Sequence, residues 1–261
     1  MGHDRVGFLP KSKRWKDIIF QISGYSEGKT EISDIINNTL TNVQSRYNNL
    51  NFDNSLISSF KFFVALALAS KSENPNQELQ EIGISLPKKF TSLDLAKTLH
   101  LWLEEKKGSF EYRDLAERAA MDTIVYWYKK NNNDQLSLFK SQEDSFHIWY
   151  KTSQGSGFCE IARSFFGYFT QHYLKYFLER EASSHLISME KKKQFINDID
   201  NYSTELSLHA FETSKITQSF AAGWFNKNIK DKLPSDEQIT NFIGLALKKI
   251  KEELRRENAD Q

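Results

Sequence analysis

The residues with the sharpest chemistry in this chain are Arg180 and His185, set five apart in Arg180-Glu181-Ala182-Ser183-Ser184-His185. A guanidinium offers a fixed fork of donors to a phosphate, and an imidazole exchanges a proton near neutral pH, so together they suit phosphodiester chemistry. On a continuous helix, residues five apart point about 140° from each other, so cooperation within one chain requires the helix to end or bend between them. An arginine at a helix C-terminus also has a structural use, capping carbonyls and offsetting the macrodipole. His209, with Glu205 four before and Glu212 three after, sets three potential ligands on one helical side. A metal would need further ligands from elsewhere, and a histidine bonded to a neighbouring carboxylate explains the same pattern. The single Cys159 sits among Phe158, Ile161 and Ala162 and reads as a buried thiol.

A second constellation is cationic. Lys11, Lys13, Arg14 and Lys16 surround Trp15, with Arg5 upstream, a pattern that supplies phosphate contacts and one ring for stacking. Lys248, Lys249, Lys251, Arg255 and Arg256 form another basic face, but Glu252, Glu253 and Glu257 are interspersed there, as on a solvated helix with i,i+4 pairs. Two apolar segments are candidate partner anchors: Phe8 and Leu9 in the arm Gly7-Phe8-Leu9-Pro10, and Trp224 and Phe225 in Ala222-Gly223-Trp224-Phe225. The rings of the second segment serve a core equally well.

The Arg180…His185 spacing resembles the RxxxxH signature of the HEPN family of all-helical ribonucleases. That resemblance covers six residues and implies a dimer in which arginine and histidine of both copies bind and cleave RNA without a metal. Glu181 departs from the polar Asn, Asp or His that the family favours after its arginine. Separately, the Gly7-Phe8-Leu9-Pro10 arm before Arg14-Trp15, together with Ala222-Gly223-Trp224-Phe225, looks like the texture of small helical accessory proteins encoded in bacterial anti-phage operons. This second resemblance brings no active site and implies a subunit that works with larger enzymatic partners.

Other chemistry lacks its signature. There is no GxxxxGK[ST], GxGxxG, HExxH, CxxC or GxSxG, so nucleotide hydrolysis, zinc proteolysis and hydrolase-elbow chemistry have no recognisable motif. Lysine plus arginine number 35 against 34 acidic residues, so any anionic partner must be met by a local patch rather than by a global field. One cysteine excludes an intrachain disulfide and suits a reducing, cytoplasmic setting. The opening residues lack the apolar stretch of a signal peptide, and the most apolar run, Phe60 to Ala69, is too short to span a bilayer.

The elements that position these residues read as helices. Only 4 Pro and 11 Gly punctuate 261 residues, and apolar positions recur every three to four residues. Trp15, Ile18, Ile19 and Ile22 form such a stripe after the N-cap candidate Ser12. Asp53 caps a helix that is apolar nearly all round. Ser92 and Ser109 open further helices, with Gly108 at a C-cap-like position between them. Ser72 to Asn76 is expected as a linker, Leu79 to Leu86 is ambiguous between helix and strand, and Phe158 to Glu181 is the most aromatic helix. The last helix begins at Ser235-Asp236-Glu237. With 20 Phe, 10 Tyr and 5 Trp, the core is built from rings.

These readings give an all-α, irregular multi-helix bundle. The expected organisation is an arm over residues 1–11, a helical subdomain over 12–133, an irregular connector over 134–157 hinged at Gly155-Ser156-Gly157, and a second subdomain over 158–261, the two forming one domain or two. The expected function is a non-enzymatic scaffold or regulatory subunit that binds other proteins and contacts nucleic acid, with a dimeric ribonuclease as the alternative. No cofactor, metal, membrane or small-molecule ligand is indicated.

Overall fold

The computed structural model describes residues 10–43, 46, 47, 49–106, 110–131, 145–211, 220–229 and 232–259. The described part is all α-helical, with no strand among the described residues. Its helices are α1 (Lys13–Ser26), α2 (Ile32–Asn42), α3 (Asn54–Ala69), α4 (Pro75–Glu81), α5 (Ser92–Glu104), α6 (Phe110–Asn131), α7 (His147–Tyr150), α8 (Gly155–His185), α9 (Met189–Phe211), α10 (Phe220–Asn228) and α11 (Asp236–Ala259). Short 3-10 turns at Leu50–Phe52 and Lys151–Ser153 lead into α3 and α8.

Local chemistry starts several of these helices where side chains can satisfy the orphan N–H groups. Ser12 caps α1, and Asp53 accepts from Ser55 and Leu56 at the head of α3. At α5 the cap is Thr91, one residue before the expected Ser92, in a capping box with Asp94. Pro75, expected in a linker, instead opens α4, where its missing N–H costs nothing. The ambiguous stretch after it holds Leu79 in α4 and leaves Ile84 buried in irregular chain.

Helix α3 is buried on nearly every side, and α8 buries a long aromatic stripe; the two form the middle of the bundle. Helix α8 packs between α6 and α9, meets α10 near its start and α1 near its end, and α3 contacts α5, α6 and α11. Phe60 of α3 joins them: its ring lies 5.1 Å from Phe242 of α11, stacked at 11°, and 5.2 and 5.8 Å from Phe166 and Phe165 of α8. Burying one such ring is worth roughly 1.5–3 kcal/mol, so this cluster is a principal tie between the chain before residue 134 and the chain after 157. A single hydrophobic cluster includes residues from both sides.

Part of the expected connector is ordered. Trp149 of α7 is buried with its ring 6.3 Å from Trp127 and from Phe63. The expected hinge, Gly155-Ser156-Gly157, forms the first turn of α8. Gly157 is needed there because a Cβ would stand 1.9 Å from the carbonyl oxygen of Lys151. Farther along, a Cβ on Gly167 would stand 2.7 Å from Oγ of Ser207, which is how α8 and α9 approach closely. Residues 134–144, with Gly108 and Ser109, lie outside the described residues.

Candidate functional site: a basic helix start on the end of α8

Oγ of Ser12 accepts the Trp15 N–H at 3.1 Å and is itself held by Nδ2 of Asn42 at 3.1 Å. This cap fixes where α1 begins and therefore which face each early residue takes. Trp15, Ile18 and Ile22 turn inward and are buried, while Lys11, Lys13, Arg14 and Lys16 are exposed. Within residues 11–17 these four cations meet one carboxylate, Asp17.

The first turn of α1 contains no acidic residue. The N-terminal pole of a helix carries partial positive charge, so each cation there is disfavoured by about 0.3–1 kcal/mol and each anion favoured by a similar amount. Asp34 in α2, Glu78 in α4, Asp94 in α5, Glu190 in α9, and Asp236 with Glu237 in α11 follow the rule, while α3, α7, α8 and α10, like α1, hold no acid in the first turn. Helix α1 breaks it with Lys13, Arg14 and Lys16. Among the described residues no carboxylate forms an ion pair with any of the four cations. The basic face of α11 differs, because Lys248 and Lys249 pair with Glu252 at 3.6 and 3.4 Å, and Arg256 with Glu253 at 3.3 Å.

Trp15 was expected as a stacking ring for a base. It is only 2 % exposed and packs edge-on to Phe177 at 6.1 Å, so it belongs to the core and no base can reach its face. Its indole instead donates from Nε1 to Oε1 of Glu181 at 3.0 Å, a buried bond. Glu181 lies between Arg180 and His185, and Nδ1 of His185 sits 2.9 Å from the Glu181 carbonyl oxygen. The fold thus brings together the two constellations singled out in the sequence, on the last turns of α8.

Arg180 and His185 are both exposed, and α8 runs unbroken through His185. The bend that a catalytic pair within one chain requires is missing, so the two side chains diverge by about 140°. Cations continue past the turn after α8, where Lys192 donates from Nζ to the Ser183 carbonyl at 2.9 Å and Lys193 is exposed.

Of the expected partner anchors Trp224 and Phe225, the second is corrected. Phe225 is buried against Phe158 at 4.7 Å and belongs to the interior, while Trp224 is half-buried, packing 4.6 Å from Phe242 and 5.9 Å from Phe158. Arg5, Phe8 and Leu9 lie outside the described residues, as does Glu212 beside His209. Cys159 is half-buried against the core.

A polar seam between α6 and α8 had no sequence signal. Nε2 of His172 lies 2.7 Å from Oδ2 of Asp122, the Tyr126 hydroxyl donates to Oε1 of Glu160 at 2.7 Å, and Lys130 pairs with the same oxygen. Burial raises the Tyr126 phenol, and the hydrogen bond to Glu160 raises it further. Burial works against the Glu160 carboxylate, but the donors Lys130 and Tyr126 hold it below the ordinary range. Burial, then the charge on Asp122, pushes Tyr168 up as well. These groups satisfy one another and tie two helices together. His100 does the same between α5 and α6, with Nδ1 2.7 Å from Oε1 of Glu117.

Among the described residues no three His, Cys, Asp or Glu are grouped to hold a metal, and no helix is long and apolar enough to cross a membrane. Comparison of the chain with protein-family models, curated proteins and solved structures finds no match.

Proposed function

We propose that this chain is a non-enzymatic helical subunit of a multi-protein assembly, and that it contacts nucleic-acid phosphates through the basic start of α1. One observation carries the reading. Lys13, Arg14 and Lys16 crowd the positive pole of a helix whose first turn holds no acid. That arrangement raises the energy of the free protein and is relieved by an anion. Free N–H groups at a helix start favour the same ligand. The cap by Ser12 and the bond between Trp15 and Glu181 hold the cations on a rigid platform, as phosphate contacts require.

Fluorescence anisotropy with labelled single-stranded RNA and duplex DNA tests this directly. Four phosphate contacts predict affinity for duplex falling about a hundredfold between about 50 and about 200 mM salt. Failure to bind either probe at the lower salt removes the reading.

The second reading is a dimeric ribonuclease of HEPN type. It draws support from the exposure of Arg180 and His185 beside the cationic turn. Since one chain does not converge the pair, a second copy must complete each site. Cleavage of RNA that vanishes in His185→Ala separates it from the binding reading.

A further inference from the structure

The turn that links α8 to α9 buries Leu186, leaves Ile187 101 % exposed, and leaves Met189 at the start of α9 63 % exposed. Single apolar side chains on a surface need no explanation. Two at the tip of one turn, framed by cations, do. Arg180 and His185 are exposed on the α8 side and Lys193 on the α9 side, while Lys192 reaches back to the Ser183 carbonyl. Opposing charges stand there as well: Glu181 lies 3.8 Å from Nδ1 of His185, Glu179 is exposed, and Glu190 accepts a hydrogen bond from Ser188 at the head of α9. The bond from Trp15 to Glu181 sets the cationic first turn of α1 on this same end of α8.

The tip therefore asks for a ligand that is anionic around its edge and apolar at its centre. Stacked bases between phosphates have that make-up, and so does an anionic bilayer. Size decides between them. The outward residues of α9 beyond the tip, Glu190, Lys193, Gln194 and Asn197, are polar and exposed, so a bilayer would receive two side chains and no apolar helix face. A base step opens to receive one or two aliphatic side chains, isoleucine and methionine among those that serve.

We infer that Ile187 and Met189 form a wedge that enters between adjacent bases of a nucleic-acid strand whose phosphates are held by the surrounding cations. This rests on the phosphate-binding reading above. The wedge does not read sequence. It unstacks one step and favours strands that unstack readily, such as single strands and mismatched or pyrimidine–purine steps.

An oligonucleotide carrying 2-aminopurine tests it, because that base brightens when unstacked. The native chain should bind and raise the fluorescence. The double variant Ile187→Ser, Met189→Ser should bind about tenfold more weakly, give no rise, and keep the thermal midpoint and salt dependence of the native chain, since neither side chain is part of the core. Equal binding and an equal rise in the double variant, with binding lost only in Lys13→Gln, Arg14→Gln, Lys16→Gln, overturns the wedge and leaves the phosphate reading standing. No binding of the native chain to the oligonucleotide overturns both. Binding instead to vesicles containing phosphatidylserine, lost in the double variant, assigns the tip to a lipid surface and also overturns both.

Discussion

The indole N–H of Trp15 and the carboxylate of Glu181, 166 positions apart in sequence, meet at 3.0 Å in a buried hydrogen bond. Trp15 is the one inward-facing member of a cationic run, and Glu181 stands between Arg180 and His185, so this contact decides what the exposed charges share. Replacing Trp15 by phenylalanine keeps most of the buried ring and removes the donor. A buried carboxylate without its partner costs about 1–3 kcal/mol, so urea unfolding of Trp15→Phe should show a loss of that size. Glu181→Gln, which keeps an acceptor, should lose less. Unfolding of Trp15→Phe at the native midpoint would show that the bond contributes nothing.

Two glycine-to-alanine changes should act in opposite directions. At Gly157 the new methyl meets a backbone oxygen at 1.9 Å, and since backbone cannot swing aside, the cost should reach or exceed the roughly 1–3 kcal/mol of ordinary overpacking. At Gly223, inside α10, nothing lies within 4 Å, and alanine should stabilise the chain by about 0.5–1 kcal/mol through helix propensity. Thermal unfolding of both variants checks the packing at the start of α8. Equal and small shifts would contradict it.

The seam between α6 and α8 should make stability depend on acid. The Glu160 carboxyl is held below its usual 4.5 in the folded chain. As pH falls, the unfolded chain therefore takes up this proton first, and stabilisation present above 4.5 is lost below it. The difference in unfolding free energy between the native chain and Glu160→Gln should be largest near neutral pH and shrink below 4.5. A difference that grows on acidification would refute the assignment.

At the alkaline end the buried Tyr47 phenol is pushed up to about 12 from its usual 10.0 by burial. The unfolded chain then loses this proton first, so stability should fall as pH rises past 10. Absorbance titration should show Tyr47 ionising only together with unfolding, and Tyr47→Phe should flatten that part of the profile.

Much of the fold was legible because helices leave periodic traces. Trp15, Ile18 and Ile22 are buried as their spacing requires, and the caps Ser12 and Asp53 stand where their side chains can accept backbone N–H groups. Boundaries moved where a local signal had two meanings, as with Pro75, which opens a helix as readily as it marks a linker. Gly155 and Gly157 were similarly ambiguous, since glycine serves both a flexible joint and a tight approach, and only the nearness of Lys151 shows the tight approach at Gly157.

The site was legible in half. A contiguous cationic run shows itself, but Trp15 satisfied both a core stripe and a stacking pattern, and only burial chose between them. Phe225 carried the same ambiguity and fell to the same side, while Trp224 stayed half-buried against Phe158 and Phe242. The pairings of Trp15 with Glu181 and of His172 with Asp122 join distant residues across packed helices, and no local spacing encodes them. The exposed tip at Ile187 drew no notice because an aliphatic residue beside a leucine and a methionine resembles ordinary core sequence.

The salt dependence of nucleic-acid binding, compared between the native chain and the variant Lys11→Gln, Lys13→Gln, Arg14→Gln, Lys16→Gln, tests the central claim most directly. Each lost phosphate contact removes about 0.9 from the slope of log K against log salt for duplex DNA. The native slope should therefore fall by about 3–4 in the variant, with the fold intact by circular dichroism. An unchanged slope, or native binding insensitive to salt, would contradict the assignment of this helix start to phosphates.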